Sequence, residues 1–514
     1  MQKLPIGIQS FSELRKGGFL YVDKTQSIYE LTEGSKYYFL SRPRRFGKSL
    51  LLSTIGALFL GQKELFQGLW IEDKWNWNKK HPVLHIPFAS LDYKVNGLEV
   101  ELQKHIQEIA HSYRIALRND SLKNQFEELL RKLSEKEEQV VLLIDEYDKP
   151  IIDYLGGDIG QARENQQVLK NFYSVIKDSD PYLRLVFITG VSKFSKVSIF
   201  SDLNNLYDLT IHDRIAAKML GYTQEELESC FEDYITYTAS QLDVKEEALI
   251  ERIREWYNGY SWDGQLYVYN PFSILNFFQK GVFLNYWFKT ATPAFLIELV
   301  RKEPFYDFDG IAVGEEAFDA FELREKLDLV MLFFQTGYLT IKAWDRAFGL
   351  YTLGYPNREV KSSMLNYLAK AFADVEASEM RPLITRLREY FLKGDIAQVV
   401  SLLNGLFKRM PYQLKAKTEV SYHALVHIVF HLLGMYMRSE VNTLDGRADA
   451  IVETEQTVYC MEFKLDKSAK EALKQIKERG YLEGYRPTGK KNIAIGINFS
   501  SEKGCIDDWE MEAC

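Results

Sequence analysis

The sequence predicts an α/β chain of about three domains: a parallel sheet flanked by helices, then a helical and winged-helix-like middle region, then a smaller α/β domain. Three observations carry that prediction. The 514 residues exceed what one hydrophobic core usually organises, at roughly 150 residues per domain. The first 215 residues alternate apolar, strand-like runs with amphipathic helical stretches, the rhythm of a buried parallel sheet. The rhythm then changes twice, becoming helical and aromatic from Gly221 and strand-bearing again from Ala448.

The strands of the first region are read at Tyr37–Leu40, Val83–Ala89, Val140–Ile144 and Leu183–Thr189, each a short apolar run of strand length. The middle region is dense in aromatic side chains, as in Glu255-Trp-Tyr-Asn-Gly-Tyr-Ser-Trp262 and Phe283-Leu-Asn-Tyr-Trp-Phe288. Leu332-Phe-Phe-Gln-Thr-Gly-Tyr-Leu339 then leads into short alternating segments around Tyr351–Arg358, a helix-then-hairpin passage of the kind found in small winged modules. The last region opens helical and shows strand signals at Ala448–Glu453, Val458–Phe463 and Asn492–Asn498, with a lysine-rich helix between the last two. The predicted domains are residues 1–220, 221–380 and 381–514, without repeats or low-complexity segments.

Composition narrows the function classes. At 46% hydrophobic, 14% aromatic and 26% charged residues, the chain has the apolar content of a folded protein and not of a disordered or collagenous one. A net charge of −8 argues against a surface coated in positive charge for wrapping nucleic acid, so phosphate contacts must come from local patches. Cys230, Cys460, Cys505 and Cys514 are scattered, with neither a disulfide frame nor zinc-knuckle spacing. Met-Gln-Lys-Leu-Pro at the start is not a signal peptide, and the apolar run Leu50–Leu60 is too short to span a bilayer. A cytoplasmic protein with no membrane partner is expected.

Tyr38-Phe-Leu-Ser-Arg-Pro-Arg-Arg-Phe-Gly-Lys-Ser-Leu-Leu-Leu-Ser53 reads as strand, tight turn and helix start. Its Gly47-Lys48-Ser49 is the second half of a Walker A loop, in which backbone N–H groups and a helix N-terminus cradle phosphates. The nucleotide-contacting set is then Arg44, Arg45, Phe46, Gly47, Lys48, Ser49 and Leu50, with Lys48 on the β- and γ-phosphates and Ser49 on Mg²⁺. Arg42 stands where the pattern has its first glycine, and Arg42, Arg44 and Arg45 are expected to supply charge where amides are fewer. About 100 residues on, Gln139-Val-Val-Leu-Leu-Ile-Asp145-Glu146-Tyr-Asp148 is an apolar strand ending in carboxylates. This suits a Mg²⁺-directing Asp145 followed by Glu146 as the base that polarises water, with Asp148 a competitor for that role. Thr189, ending the next strand, is a candidate sensor for the attacking water.

Near the end of the chain, Asp449 opens a strand and Glu462 and Lys464 lie on the next. Period two puts Glu462 and Lys464 on one face beside Asp449. Two carboxylates suit a divalent metal, and an ammonium beside them suits metal-dependent phosphodiester hydrolysis. Glu440, read on a helical stretch after Tyr422–Met437, is a further candidate metal ligand, and Gln475 on the following helix is a candidate positioning group. Lys467, Lys470, Lys474 and Lys477 recur on one side of that helix. The stretch Met461–Lys491 holds nine Lys or Arg against five Asp or Glu, so the stripe reads either as a phosphate-backbone track or as an ordinary solvated face. His423, His427 and His431 share a helix face, but Ala424 stands where a zinc hydrolase carries Glu, so packing or a substrate-facing role is preferred.

Leu4-Pro-Ile-Gly-Ile-Gln, Tyr21-Val-Asp-Lys-Thr25, Arg42-Pro-Arg-Arg-Phe-Gly-Lys-Ser49, Leu143-Ile-Asp-Glu-Tyr-Asp148 and Trp256-Tyr-Asn-Gly-Tyr260 resemble the bacterial AAA-ATPase-like family that carries a C-terminal PD-(D/E)XK nuclease domain. The resemblance spans nearly the whole chain. It accounts for the missing glycine, since the family loop also begins Arg-Pro, and implies that Tyr21, Asp23 and Lys24 lie near the nucleotide. The nuclease motif maps onto Asp449 and Glu462-x-Lys464, with Glu440 as its upstream acid and Ala448 in place of the usual proline. What the resemblance implies is a P-loop NTPase core, a helical and winged middle and a PD-(D/E)XK end, with anti-phage defence or mobile-element control as family-level roles.

The two sites predict an ATP-binding and ATP-hydrolysing switch coupled to a Mg²⁺-dependent nuclease that acts on DNA or RNA through its C-terminal domain. The alternative is a regulatory or scaffolding ATPase whose end domain binds nucleic acid or a partner without cleaving. A homo-oligomeric motor would need an arginine in trans, for which Arg214 is the one candidate.

Overall fold

The computed structural model describes residues 1–155, 157–193, 203, 205–288, 308–319, 328–410, 419–441 and 448–514. The chain divides into two compact units, the first with its described residues between Met1 and Val360 and the second between Lys361 and Cys514.

The first unit is built on a five-stranded sheet of β1 (Tyr37–Ser41), β2 (Val83–Pro87), β3 (Val140–Asp145), β4 (Leu183–Gly190) and β5 (Tyr207–Asp208), in the order β2-β3-β4-β1-β5. Every pairing is parallel. The apolar runs explain this. All of β1 and β3 is buried, which requires cover on both faces, and helices such as Lys48–Phe59, Leu122–Lys136 and Ile159–Asp178 fill the crossovers. Register then fixes which strand ends meet. Ser41 pairs with Gly190 and Leu40 with Thr189, while Ile144 pairs with Ile188. The exits of β1, β3 and β4 therefore lie side by side at the carboxyl edge of the sheet, where open α/β sheets place their ligands.

The remainder of this unit is helical and aromatic, as the composition predicts. Helices Gln224–Cys230, Glu232–Leu242, Glu246–Tyr257 and Pro271–Lys280 close around Phe231, Tyr257, Tyr269, Phe277 and Phe278, and the N-terminal Leu4, Leu20 and Val22 join the same core. The helix-then-hairpin passage is also present. Helix Leu329–Thr336 runs into β7 (Thr340–Asp345) and β8 (Leu350–Gly354), which form an antiparallel sheet with β6 (Ile311–Gly314) in the order β6-β8-β7.

In the second unit, helices Ala377–Lys393, Ile396–Lys408 and Glu419–Gly434 precede a mixed sheet. Its strands are β9 (Arg438–Val441), β10 (Ala450–Glu453), β11 (Thr457–Leu465), β12 (Lys491–Ser500) and β13 (Cys505–Ala513), ordered β13-β12-β11-β10-β9. Only β11 and β12 run parallel, and the helix Ala469–Glu478 makes the crossover between them. Its apolar face, Ala469, Ala472, Leu473 and Ile476, is buried. Gly496 on β12 permits the close approach, since a Cβ there would lie 2.2 Å from Ala469 O.

The short strands β5 and β6 of the first unit lie outside the sequence expectation, as do two strands of the second. β13 carries no apolar run because it is a charged edge strand, mostly exposed, which is how edges avoid further pairing. β9 overturns the helical reading of Glu440. The preceding helix stops at Gly434, and the backbone of Glu440 instead pairs with Ile451, a choice made by its partner strand and not by local propensity. No described helix is long and apolar enough to cross a membrane.

Gly496→Ala is expected to wedge the crossover helix off the sheet and destabilise the second unit by about 1–3 kcal/mol. Thermal unfolding of the full chain measures it, and an unchanged melting curve would refute the close-approach argument.

Candidate functional site

The loop between β1 and the helix Lys48–Phe59 turns through two left-handed residues, Arg45 (φ 67°) and Gly47 (φ 93°). Gly47 adopts that conformation readily, whereas Arg45 holds it under strain, a feature that clusters at functional sites. No side chain caps the helix at Gly47, so its first N–H groups point free at the loop, the arrangement that receives a phosphate. The Lys48 ammonium is buried and donates to Arg42 O (2.9 Å) and Pro43 O (3.0 Å). Burial holds its pKa below the ordinary lysine value, against the pull of Glu146, Asp145 and Asp148.

A cleft of about 380 Å³ opens beside this loop, lined by Arg44, Arg45, Gly47, Lys48, Ser49 and Leu50, and facing them by Glu146 and Lys149. Behind it, Ser49 Oγ donates to Asp145 Oδ2 (2.5 Å) and Thr189 Oγ1 to Asp145 Oδ1 (2.7 Å). The hydroxyl of the loop and the carboxylate of β3 thus lie side by side, close enough for both to serve one Mg²⁺ as oxygen ligands. A second, apolar pocket of about 80 Å³ adjoins the loop, lined by Phe46, Tyr21, Lys24, Leu51 and Leu220 among others. Phe46 itself is buried, edge-on to Tyr260 (4.8 Å) and Trp262 (5.5 Å).

Four expectations are corrected by this geometry. Arg42 supplies no charge to the cleft. It is buried, donates to the carbonyls of Ser41, Thr210, Leu209 and Ala216, and lies 4.0 Å over the Trp262 ring, so its charge is spent on backbone dipoles where a glycine would leave space. Burial pushes its pKa down to about 9. Thr189 is wholly buried behind Asp145 and does not line the cleft. Asp148 does not compete with Glu146: its Oδ2 accepts from Val191 N, Ser192 N and Ser192 Oγ, so it braces the exit of β4. Glu146, left-handed at φ 54°, is the carboxylate on the cleft. Asp23, finally, is not among the cleft-lining residues and accepts from Thr25 N and Trp70 N, whereas Lys24 pairs with Glu226 at 2.5 Å. Arg214 is exposed at the start of a short helix.

Sequence reading missed a buried brace behind the loop. Trp287 Nε1 donates to Arg44 O (2.9 Å), and Trp287 N donates to Glu359 Oε1 (2.6 Å), whose Oε2 accepts from Ser273 Oγ (2.7 Å). Glu359 is fully buried, and burial pushes its pKa up to about 7 in spite of those hydrogen bonds. The signal was a single acidic residue at a helix start, indistinguishable in sequence from an exposed one.

In the second unit, Ala450 pairs with Met461, which sets Asp449 across from Glu462. Asp449 Oδ2 accepts from Phe463 N (2.8 Å), and Lys464 Nζ donates to Glu462 Oε1 (2.9 Å). Glu462 is buried and its Oε2 has no hydrogen-bond partner. Burial and the Asp449 charge push its pKa up to about 7, with Lys464 opposing. A buried oxygen without a donor, beside a second carboxylate, fits a hard divalent cation. No third His, Cys, Asp or Glu joins the pair among the described residues, and the side chain of Glu440 lies outside them. Gln475 is turned elsewhere, donating to Tyr481 Oη (3.2 Å). In the lysine stripe, Lys474 pairs with Glu478 and Lys477 with Glu512, while Lys467 and Lys470 are exposed.

Comparison with known proteins bears on both sites. Residues 5–200 match the family model described as predicted AAA-ATPase, and residues 417–509 match that of the PD-(D/E)XK nuclease superfamily. The chain is 38% identical over 526 residues to the "Uncharacterized protein in vnfD 5'region" of Azotobacter chroococcum mcd 1, covering 100% of this chain and 99% of that one. Among solved structures, the Aeropyrum pernix ORC1 protein in complex with DNA aligns over 66% of this chain and 91% of its own, at 10% identity. Its TM-score of 0.24 is too low to carry an argument.

Two outcomes follow from the first unit. Arg42→Gly restores the glycine of the loop pattern, yet it strips donors from buried carbonyls and is expected to lower the unfolding free energy by about 3 kcal/mol or more, with no gain in nucleotide affinity; denaturant titration and a binding isotherm measure both. For Glu359, a raised pKa means the protonated carboxyl is favoured by folding, so its stabilising contribution is complete below the ordinary value of 4.5 and is lost as pH rises through about 7. Between about pH 5 and about pH 8 the wild type should lose about 3 kcal/mol more stability than Glu359→Gln. Parallel urea-unfolding profiles for the two proteins would contradict this.

Proposed function

The chain belongs to the AAA-ATPase-like family with a C-terminal domain of the PD-(D/E)XK nuclease superfamily, and from that membership we propose that it is an ATP-hydrolysing switch coupled to a Mg²⁺-dependent nuclease acting on DNA or RNA. The observation that carries the nuclease reading is the buried, partnerless oxygen of Glu462 beside Asp449, with Lys464 on the same strand face.

In the first unit, the helix N-terminus, Lys48, Arg44 and Arg45 bind and orient the triphosphate, Ser49 and Asp145 hold its Mg²⁺, and Glu146 accepts a proton from the attacking water. Thr189 and Asp148 act one layer back, fixing Asp145 and the exit of β4. In the second unit, Asp449 and Glu462 would hold a divalent cation, which when bound would supply Lewis-acid chemistry at a phosphodiester. Lys464 would offset the charge that gathers on the phosphate oxygens, and the Glu462 carboxyl, whose pKa burial and the Asp449 charge raise, would have to be ionised to serve as a ligand. Exposed Lys467 and Lys470 contribute a short phosphate contact. Lys474 and Lys477 extend the same side in exposed, weak pairs with Glu478 and Glu512. A role in defence or mobile-element control is consistent with an enzyme whose cleavage is held under nucleotide control.

Lys48→Ala is expected to weaken ATP binding by about 100-fold or more. Asp449→Ala is expected to abolish divalent-dependent cleavage while leaving ATP affinity unchanged. Single- and double-stranded DNA and RNA, incubated with Mg²⁺ or Mn²⁺ with and without ATP, supply the assay; no cleavage of any substrate by the wild type would leave the non-cleaving regulatory ATPase as the reading.

A further inference from the structure

Lys149 begins the helix Lys149–Ile152, three residues past Glu146, and its side chain lines the phosphate cleft with Ser49, Lys48 and Glu146. Its ammonium is held loosely, 3.3 Å from each oxygen of Asp153. Asp153 has closer partners of its own: Lys94 Nζ lies 2.8 Å from Oδ2, and Tyr93 Oη donates to the same oxygen at 2.9 Å. Burial works to raise the Asp153 pKa, but Lys94, Lys149 and Tyr93 together hold it below the ordinary value. Asp153 therefore keeps Lys94 and Tyr93 as partners when Lys149 leaves it. A flexible lysine stem, a long two-way contact and a second cation on the same carboxylate describe an ammonium parked at the rim of an anion site.

We propose that Lys149 is a catalytic cation of the phosphoryl transfer: when a nucleoside triphosphate occupies the cleft, its ammonium passes from Asp153 to the γ-phosphate oxygens. The proposal rests on the ATP-hydrolysing reading above and adds a residue to it. In the step, the water oxygen bonds to the γ-phosphorus and its proton goes to Glu146. The bond to the bridging oxygen breaks, and ADP departs with that electron pair. Lys149 keeps its protons and stabilises the charge spread over the transferring oxygens. A cation supplied by the same chain makes turnover per molecule independent of protein concentration, whereas an arginine contributed by a second copy would make it rise with concentration.

The test is steady-state ATP hydrolysis by the full chain with Mg²⁺, alongside a direct ATP binding isotherm. Lys149→Ala is expected to lower kcat about 100-fold while changing the ATP Kd by less than about threefold, and Lys149→Arg to recover at least about a tenth of wild-type kcat. Wild-type kcat is expected to be flat with protein concentration. A Lys149→Ala kcat within about twofold of wild type, or a loss that appears only in Kd, overturns the assignment alone. Wild-type protein that binds ATP without turning it over overturns the hydrolytic reading and this assignment with it.

Discussion

A buried guanidinium governs the nucleotide half of this protein. The loop after β1 lacks the first glycine of the usual phosphate-binding pattern, and Arg42 in its place turns inward to four backbone carbonyls. Its own carbonyl, with that of Pro43, receives the Lys48 ammonium. The loop is thus bound on one side to the segment Leu209–Ala216 and on the other to the buried Lys48 ammonium. Backbone freedom normally supplied by glycine is exchanged for a charged strut, and the energy of burying that charge is recovered through directed hydrogen bonds and the face of Trp262.

The same logic extends outward. Trp287 fastens Arg44 O to Glu359, and Glu359 fastens the helix Pro271–Lys280 through Ser273. Phe272 and Leu275 of that helix line the phosphate cleft, and Arg45 lies over Phe272 at 5.1 Å. The aromatic middle region is therefore more than packing: its core reaches the loop at Arg44, Arg45 and Phe46. The network thus ties two residues of the cleft lining, Arg44 and Arg45, to the helix Pro271–Lys280.

The second unit handles a buried charge in the opposite way. Glu462 is incompletely paired, with one oxygen on Lys464 and the other without a donor. Arg42 spends both terminal nitrogens on backbone carbonyls and is structural, whereas Glu462 keeps a free oxygen beside a second carboxylate. What surrounds the buried charge, and not burial as such, separates a strut from a site.

Much of this was legible along the chain. The apolar runs of β1 to β4, the loop from Arg44 to Leu50, the Asp145-Glu146 pair and the two-residue spacing of Glu462 and Lys464 are local patterns, and a local pattern survives without knowledge of what packs against it. Tertiary structure alone decided the rest, because it depends on which groups meet across distance. Register brought Thr189 to Asp145 and turned Asp148 toward Ser192, although both looked equally suited to the cleft in sequence. A partner strand made Glu440 part of β9, where helical context had suggested otherwise. Arg42 reads as one more cation among three, and only carbonyls from residues more than 160 positions away reveal it as a strut. Residue type and spacing determined which chemistry is available; long-range hydrogen bonding determined which of those residues face the cleft, since a side chain's direction is set by the distant donors and acceptors it must satisfy.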